Sequence, residues 1–191
     1  GGREVVAVHT GTGVLDAGAE HALLAGNVPE LPPEEDTLDM LRTGDATAIT
    51  RPPELDRVDV LFLALHGGAG EGGQLQALLD ITGIPYTGSG MLGSAVAMDK
   101  DIAKRLMLLA DVPTPEWLMA PVLLEDVESN IGFPCVIKPS KQGSTVGLTI
   151  VKRAEALEAA VQLAARYDDE VMIERFIPGR ELTVPVLGDE P

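Results

Sequence analysis

The sequence predicts an α/β fold in two parts, and three observations carry that reading. A continuous apolar run of strand length, Asp59–Leu65, is followed by the glycine-rich stretch His66–Gly73, a helical stretch Gln74–Thr82 and the short extended piece Ile84–Gly90. Strand, glycine loop, helix, strand is the rhythm of a βαβ unit in a doubly wound sheet. An apolar run without alternation marks a strand buried on both faces. The second observation is a change of style after Met98, where short strands joined by glycine loops and turns dominate. The third is charge: residues 1–99 carry 15 acidic and 4 basic side chains and no lysine, whereas residues 100–191 carry 15 acidic and 10 basic and all five lysines. Such a shift suggests two units with different tasks, 1–98 and 99–191.

Each element follows from local signals. Glu4–His9 (EVVAVH) reads as a strand and Thr10–Gly13 as a turn. The proline- and acid-rich stretch Asn27–Pro53 reads as loops around short helical pieces such as Glu34–Arg42. After the βαβ unit comes a helix, Met91–Met98, and then a second, Lys100–Ala110. The second has Ile102, Leu106, Leu109 and Ala110 on one side, Lys104 and Arg105 among its polar positions, and Pro113 beyond its end. Strands follow at Trp117–Ala120 and Cys135–Lys138, with the acidic segment Leu124–Ser129 between them. Val146–Val151 is a strand, Ala154–Ala165 a helix, and Val171–Phe176 and Glu181–Leu187 are strands joined at Pro178-Gly179.

Composition excludes several function classes. With 191 residues, 45% of them hydrophobic, the chain can bury a real core. A net charge of -16 argues against a nucleic-acid partner, whose footprint is basic, and against an anionic membrane surface. No apolar run approaches the roughly 18–20 residues that span a bilayer. The single cysteine, Cys135, excludes an internal disulfide framework and fits a reducing compartment, so a soluble cytoplasmic protein is expected. The start at Gly1-Gly2-Arg3 without methionine, and the stop just after Leu187, suggest a piece of a longer protein.

Three stretches carry candidate chemistry. Lys138 at a strand end, followed by a loop with Gly143, Gly147, Ser140, Ser144 and Thr145, suits a phosphate site. Glycines let amides approach an anion, hydroxyls donate, and a lysine adds a mobile point charge. The order is not that of a Walker loop, because the lysine comes first and a strand follows. A glycine-rich hairpin alone reads as a plain hairpin, but the leading lysine favours the phosphate site. Glu174 and Glu181 stand at the ends of adjacent strand pieces and could accept from an amino group and from paired sugar hydroxyls. His66 begins a glycine loop where ligands of open α/β sheets collect, and that loop leads into a helix whose amides could hold a carboxylate or phosphate. Lys100, taken singly, reads as a solvated helix-end lysine. No Ser-His-Asp set and no histidine/cysteine metal cluster is visible.

In order, these pieces resemble the D-alanine–D-alanine ligases of the ATP-grasp superfamily. The likeness rests on His66-Gly67-Gly68-x-Gly70-Glu71-Gly72, on Ile84-Pro85-Tyr86-Thr87-Gly88-Ser89-Gly90 leading to Ala97-Met98-Asp99-Lys100, and on Pro113-Thr114-Pro115. It continues through Gly132-Phe133-Pro134, Lys138-Pro139-Ser140, Gly143-Ser144-Thr145-Val146-Gly147 and Glu174-x-Phe176-Ile177-x-Gly179-x-Glu181. The resemblance implies a Rossmann-like preATP-grasp domain, 1–98, followed by the first part of an ATP-grasp domain, 99–191. It implies an ATP- and magnesium-dependent (or manganese-dependent) ligase that phosphorylates one D-alanine and joins it to a second for peptidoglycan precursors. Lys100 and Lys138 would hold phosphates, and Ser144 and Thr145 would close over them, with Ser144 also facing the first substrate. Glu174, Arg175 and Ile177 would line the adenine pocket, Glu181 would take the ribose hydroxyls, and His66 would lie near the first D-alanine's carboxylate. The metal ligands would lie beyond residue 191, the chain by itself would be inactive, and the full-length protein would be a homodimer. A D-alanine–D-lactate or D-alanine–D-serine ligase, and a non-catalytic nucleotide-binding module, stay open.

Overall fold

The computed structural model describes residues 4–9, 13–26, 55, 57–65 and 68–188. The sequence reading of Asn27–Pro53 falls outside the described residues, as does that of His66. The chain divides into two compact units, Gly1–Leu106 with Ser140–Val146, and Met107–Pro139 with Gly147–Pro191. Both α and β elements are present, as the sequence predicts.

In the first unit, β1 (Val8–His9) pairs antiparallel with β2 (Gly13–Val14). The helix α1 (Ala17–Leu24) follows Asp16, whose carboxylate accepts from the Ala19 amide at 2.8 Å. An aspartate just before an alanine-rich stretch is a strong helix-start signal. Next come α2 (Gly68–Glu71), α3 (Gln74–Thr82), α4 (Met91–Met98) and α5 (Lys100–Leu109), the last ending in the second unit.

The segment Asp59–Leu65 corrects the sequence reading. It forms one parallel bridge, Leu61 to Tyr86, with the Leu61 amide donating to Pro85 O (2.8 Å) and the Thr87 amide to Leu61 O (2.9 Å). Its burial alternates: Leu61, Leu63 and Leu65 pack against buried Leu75 and Leu79 of α3, while Phe62 is 79% exposed. One helix covers one face, so among the described residues the strand is not buried on both. Gly73 explains the tight entry to α3: its φ is +90°, and a Cβ there would meet Met91 O at 2.6 Å.

A second correction concerns α5. Ile102, Leu106 and Leu109, read as its apolar side, are exposed, and its buried residue is Lys104, 5% exposed. The apolar periodicity of an isolated helix shows that a stripe exists; it does not show which face a neighbour covers.

The second unit is a four-stranded sheet ordered β3-β6-β4-β5, antiparallel throughout, with strands β3 (Trp117–Met119), β4 (Cys135–Pro139), β5 (Thr149–Val151) and β6 (Val171–Arg175). The helix α6 (Leu124–Asn130), within the segment read only as acidic, buries Val127 and leads into buried Ile131. The helix α7 (Leu157–Ala164) follows a 3₁₀ turn at Ala154–Ala156. Cys135, Ile137, Val151, Val171 and Ile173 on one sheet face form a core with these helices. Burial raises the Cys135 thiol above its ordinary pKa, keeping it neutral and unreactive.

Glu181–Leu187, expected as a strand, joins no ladder, and its Leu182, Val184, Val186 and Leu187 are exposed. No described strand lies alongside to take its amides, and Pro185 has none to give. The strand expected from Val146 begins at Thr149 instead. Ser144 (φ 51°), Thr145 (φ 61°) and Gly147 (φ 68°) are left-handed and turn the chain first.

Candidate functional site

In the second unit the pleat separates the core-building side chains from the candidate site side chains. Val136 is directly opposite Glu174, and Lys138 opposite Met172, so Lys138 and Glu174 are diagonal neighbours on one face. That face is the one opposite to Ile137 and Ile173, which build the core. The Lys138 Nζ donates to Glu174 Oε2 at 2.6 Å, with both side chains largely shielded from water. Shielding strengthens the pair and raises the cost of removing one member. Ladder bonds on both sides of β4 and β6 hold the backbone that carries it.

Arg175 lies one residue on and so belongs to the other face. Its guanidinium donates to Glu116 Oε2 (2.7 Å) and to Asn130 O (2.9 Å), the last carbonyl of α6. A cation at a helix C-terminus is a stabilising arrangement, and the structure does not bring this side chain to Lys138 and Glu174. Ile177 and Glu181 follow in an exposed segment outside any helix or strand.

In the first unit the loop Ser140–Val146 lies against the start of α5. Lys100 Nζ donates to Ser140 O (2.9 Å) and Gln142 O (2.6 Å), and its amide donates to Ser140 O (3.3 Å). Asp99, extended at the junction of α4 and α5, accepts from the Ile102 amide at 3.1 Å and pairs with Lys141 at 3.8 Å. Ser144 and Thr145 are exposed at the loop tip, where the Thr145 hydroxyl donates to Ser144 O at 2.6 Å. Lys100 is thus more than a solvated helix-end lysine. The motif reading includes Asp99 but gives neither Asp99 nor Lys141 a role, although an aspartate directly before a helix is legible as a cap.

The glycine stretch after His66 is a turn of helix from Gly68 rather than an open loop. The Gln76 side chain ties it down by donating to Gly70 O at 2.9 Å. His66 itself lies outside the described residues. Further along, Tyr86 donates to Asp80 at 2.9 Å, and burial first, then that carboxylate, raises its phenol above the usual range. Among the described residues no group of three His, Cys, Asp or Glu side chains could hold a metal ion. No helix among them is long and apolar enough to cross a membrane.

Known proteins place these features in context. The family described as D-ala D-ala ligase N-terminus matches residues 14–89, and that described as D-ala D-ala ligase C-terminus matches residues 109–191. The D-alanine–D-alanine ligase of Delftia acidovorans is 40% identical over 193 residues, covering 98% of this chain and 55% of that protein. The enzyme of the same name from Janthinobacterium sp. (strain Marseille) is 46% identical over 139 residues, covering 70% of this chain and 43% of that protein. Among solved structures, the VanG D-Ala:D-Ser ligase from Enterococcus faecalis is similar at 38% identity and a TM-score of 0.59, over 64% of this chain and 37% of that chain. The chain spans about half the length of the curated relatives it matches.

Proposed function

This chain belongs to the D-alanine–D-alanine ligase family, and on that premise we propose that it supplies the nucleotide-holding and first-substrate residues of an ATP-dependent ligase. The reaction joins two D-alanines into D-alanyl-D-alanine for peptidoglycan precursors, through an acyl phosphate on the first. Residues 1–98 serve as the preATP-grasp domain and 99–191 as the first part of the ATP-grasp domain of a homodimeric, cytoplasmic enzyme.

The observation that carries this reading is the Lys138–Glu174 pair at 2.6 Å on the sheet face that does not build the core. An ammonium and a carboxylate shielded together offer one donor for a phosphate oxygen and one acceptor for an exocyclic amine, which is the donor set a nucleotide needs. Lys138 holds phosphate, and Glu174 accepts from the adenine amino group. Ile177 gives an apolar contact to the base, and Glu181 takes the ribose hydroxyls. The Arg175 side chain braces β6 against α6, so any part it takes in the adenine pocket is through its backbone. The loop amides with Ser144 and Thr145 lie over the phosphates, Ser144 faces the first D-alanine, and His66 orients that substrate's carboxylate. Catalysis of phosphoryl transfer is mostly positioning and charge stabilisation, and these side chains are suited to both. Magnesium, when bound, adds positive charge to the migrating phosphoryl group. No residue of this chain is assigned to hold it.

Similarity to a D-Ala:D-Ser ligase keeps D-serine as a second reading for the amine partner. The nucleotide assignment is tested by equilibrium binding of a fluorescent ATP analogue to the 191-residue chain. Lys138→Ala should weaken binding about ten- to a hundredfold, as expected for a charge-assisted hydrogen bond worth roughly 1.5–3 kcal/mol. Unchanged affinity would remove Lys138 from the site.

A further inference from the structure

We infer that the Asp99-Lys100 step at the start of α5 is the dock that fixes the loop Ser140–Val146, which makes Lys100 a positioning residue for Ser144 and Thr145. The inference rests on the nucleotide reading above for what the loop is held ready to do, and on geometry alone for how it is held.

These links come from two adjacent residues, Asp99 and Lys100. The Lys100 ammonium bridges two carbonyls of the loop, Ser140 O at 2.9 Å and Gln142 O at 2.6 Å, and the Lys100 amide reaches Ser140 O again at 3.3 Å. Asp99 adds an ion pair to Lys141, so three consecutive loop residues are tied to one step of the chain 40 residues earlier. The step itself is fixed, because the second oxygen of Asp99 caps α5 through the Ile102 amide at 3.1 Å.

The loop needs such help. It contains Gly143 and two left-handed non-glycine residues, Ser144 and Thr145. Ordering these residues costs conformational entropy, and their backbone occupies a sparsely populated region. Within the loop itself, the Val146 amide donates to Gly143 O at 3.2 Å and the Thr145 hydroxyl to Ser144 O at 2.6 Å, and both join near neighbours at the tip. Ser140 is fully buried, so its carbonyl cannot turn to water and must be satisfied by the protein. A lysine does this well: its rotatable donors can serve two acceptors that a single amide could not reach. Lys100 therefore acts on a bound nucleotide through the shape of the loop, in addition to any direct contact.

Limited trypsin digestion of the 191-residue chain without nucleotide tests the dock, because Lys141-Gln142 is a cleavable bond inside the loop. Lys100→Met keeps the length of the side chain and removes its donors, and cleavage after Lys141 should accelerate about tenfold. Lys100→Arg, which can still donate to both carbonyls, should recover most of the protection. Cleavage after exposed Lys152 is the internal control and should not change. Equal rates after Lys141 in wild type and Lys100→Met would overturn the inference. A parallel rise after Lys152, or an arginine variant no better than methionine, would overturn it as well. The two readings fail separately. Adenylyl imidodiphosphate should slow the Lys141 cut in the wild-type chain; if it does not while the Lys100→Met effect stands, the nucleotide reading falls and the dock remains.

Discussion

The two units are each held together by different means, and the contrast bears on where each carries its candidate site residues. The second unit has a continuous antiparallel sheet with a buried core of Ile137, Ile173, Val151 and Val127 under one face. The Lys138–Glu174 pair, the candidate nucleotide contact, is carried on the other face of the same ladder. In the described part of the first unit a buried cluster of Leu75 and Leu79 is covered by one side of the Leu61–Leu65 segment. Its candidate loop, Ser140–Val146, is tied by side-chain bonds from Asp99 and Lys100. Successive ladder pairs run along β3, β6, β4 and β5, whereas Leu61 to Tyr86 is a single parallel bridge. A ladder can position a charged pair as a by-product of folding, but a loop needs dedicated donors.

The largest expected effect tests that contrast directly. Ile137→Ala empties a fully buried site at the centre of the sheet and should cost about 4 kcal/mol, whereas Leu79→Ala, in the smaller cluster, should cost about 2–3 kcal/mol. Urea titration followed by the fluorescence of Trp117, which lies on β3, reports the second unit. Ile137→Ala should move that transition strongly and Leu79→Ala weakly. Equal shifts would show that the two units unfold as one.

The same contrast governs what the sequence could reveal. Helices α3 and α4 fall on the expected residues, because glycines mark their starts and Gly83 ends α3. Strands β4 and β6 are legible from short apolar runs bounded by loops. The Asp59–Leu65 run looked two-sided because composition records how apolar a strand is, not how many layers cover it. Helix α6 was hidden by its charge: Glu125, Asp126 and Glu128 mask a single inward residue, Val127. For the site, motif order identifies Lys138, Glu174 and the loop, but pairing across the sheet depends on register, which motifs do not encode. The opposite orientation of Arg175 follows from the two-residue period once β6 is recognised. The bonds from Lys100 to Ser140 and Gln142 join residues 40 and more apart, and no local pattern announces them.

A smaller effect is expected where the loop returns to the sheet. Gly147 has φ +68°, and a Cβ there would stand 2.7 Å from the Tyr167 ring and 2.9 Å from Pro139 Cγ. Gly147→Ala therefore combines a disfavoured backbone with two close contacts and should cost about 2–3 kcal/mol. Gly83→Ala is the comparison in the first unit: its φ is +73° with nothing within 4 Å, so only the backbone penalty of about 1 kcal/mol applies. Thermal unfolding of both variants measures the difference, and equal losses would mean that Tyr167 gives way without cost.

The smallest effect has the least obvious sign. The Ser140 side chain is fully buried, and its hydroxyl makes no hydrogen bond among the described residues, although its carbonyl is the main acceptor for Lys100. A buried hydroxyl without a partner costs about 1–3 kcal/mol of lost hydration, and replacing it with a methyl group removes that cost while leaving the backbone carbonyl in place. Ser140→Ala should therefore lie between neutral and about 1 kcal/mol more stable in the same thermal assay, with trypsin cleavage after Lys141 unchanged. A loss above about 1 kcal/mol would show that the hydroxyl is satisfied in solution, most simply by a buried water. Faster cleavage after Lys141 would show that the loop is held by the side chain of Ser140 as well as by its carbonyl. That result would move part of the dock from Lys100 to the loop itself and narrow the difference between the two units.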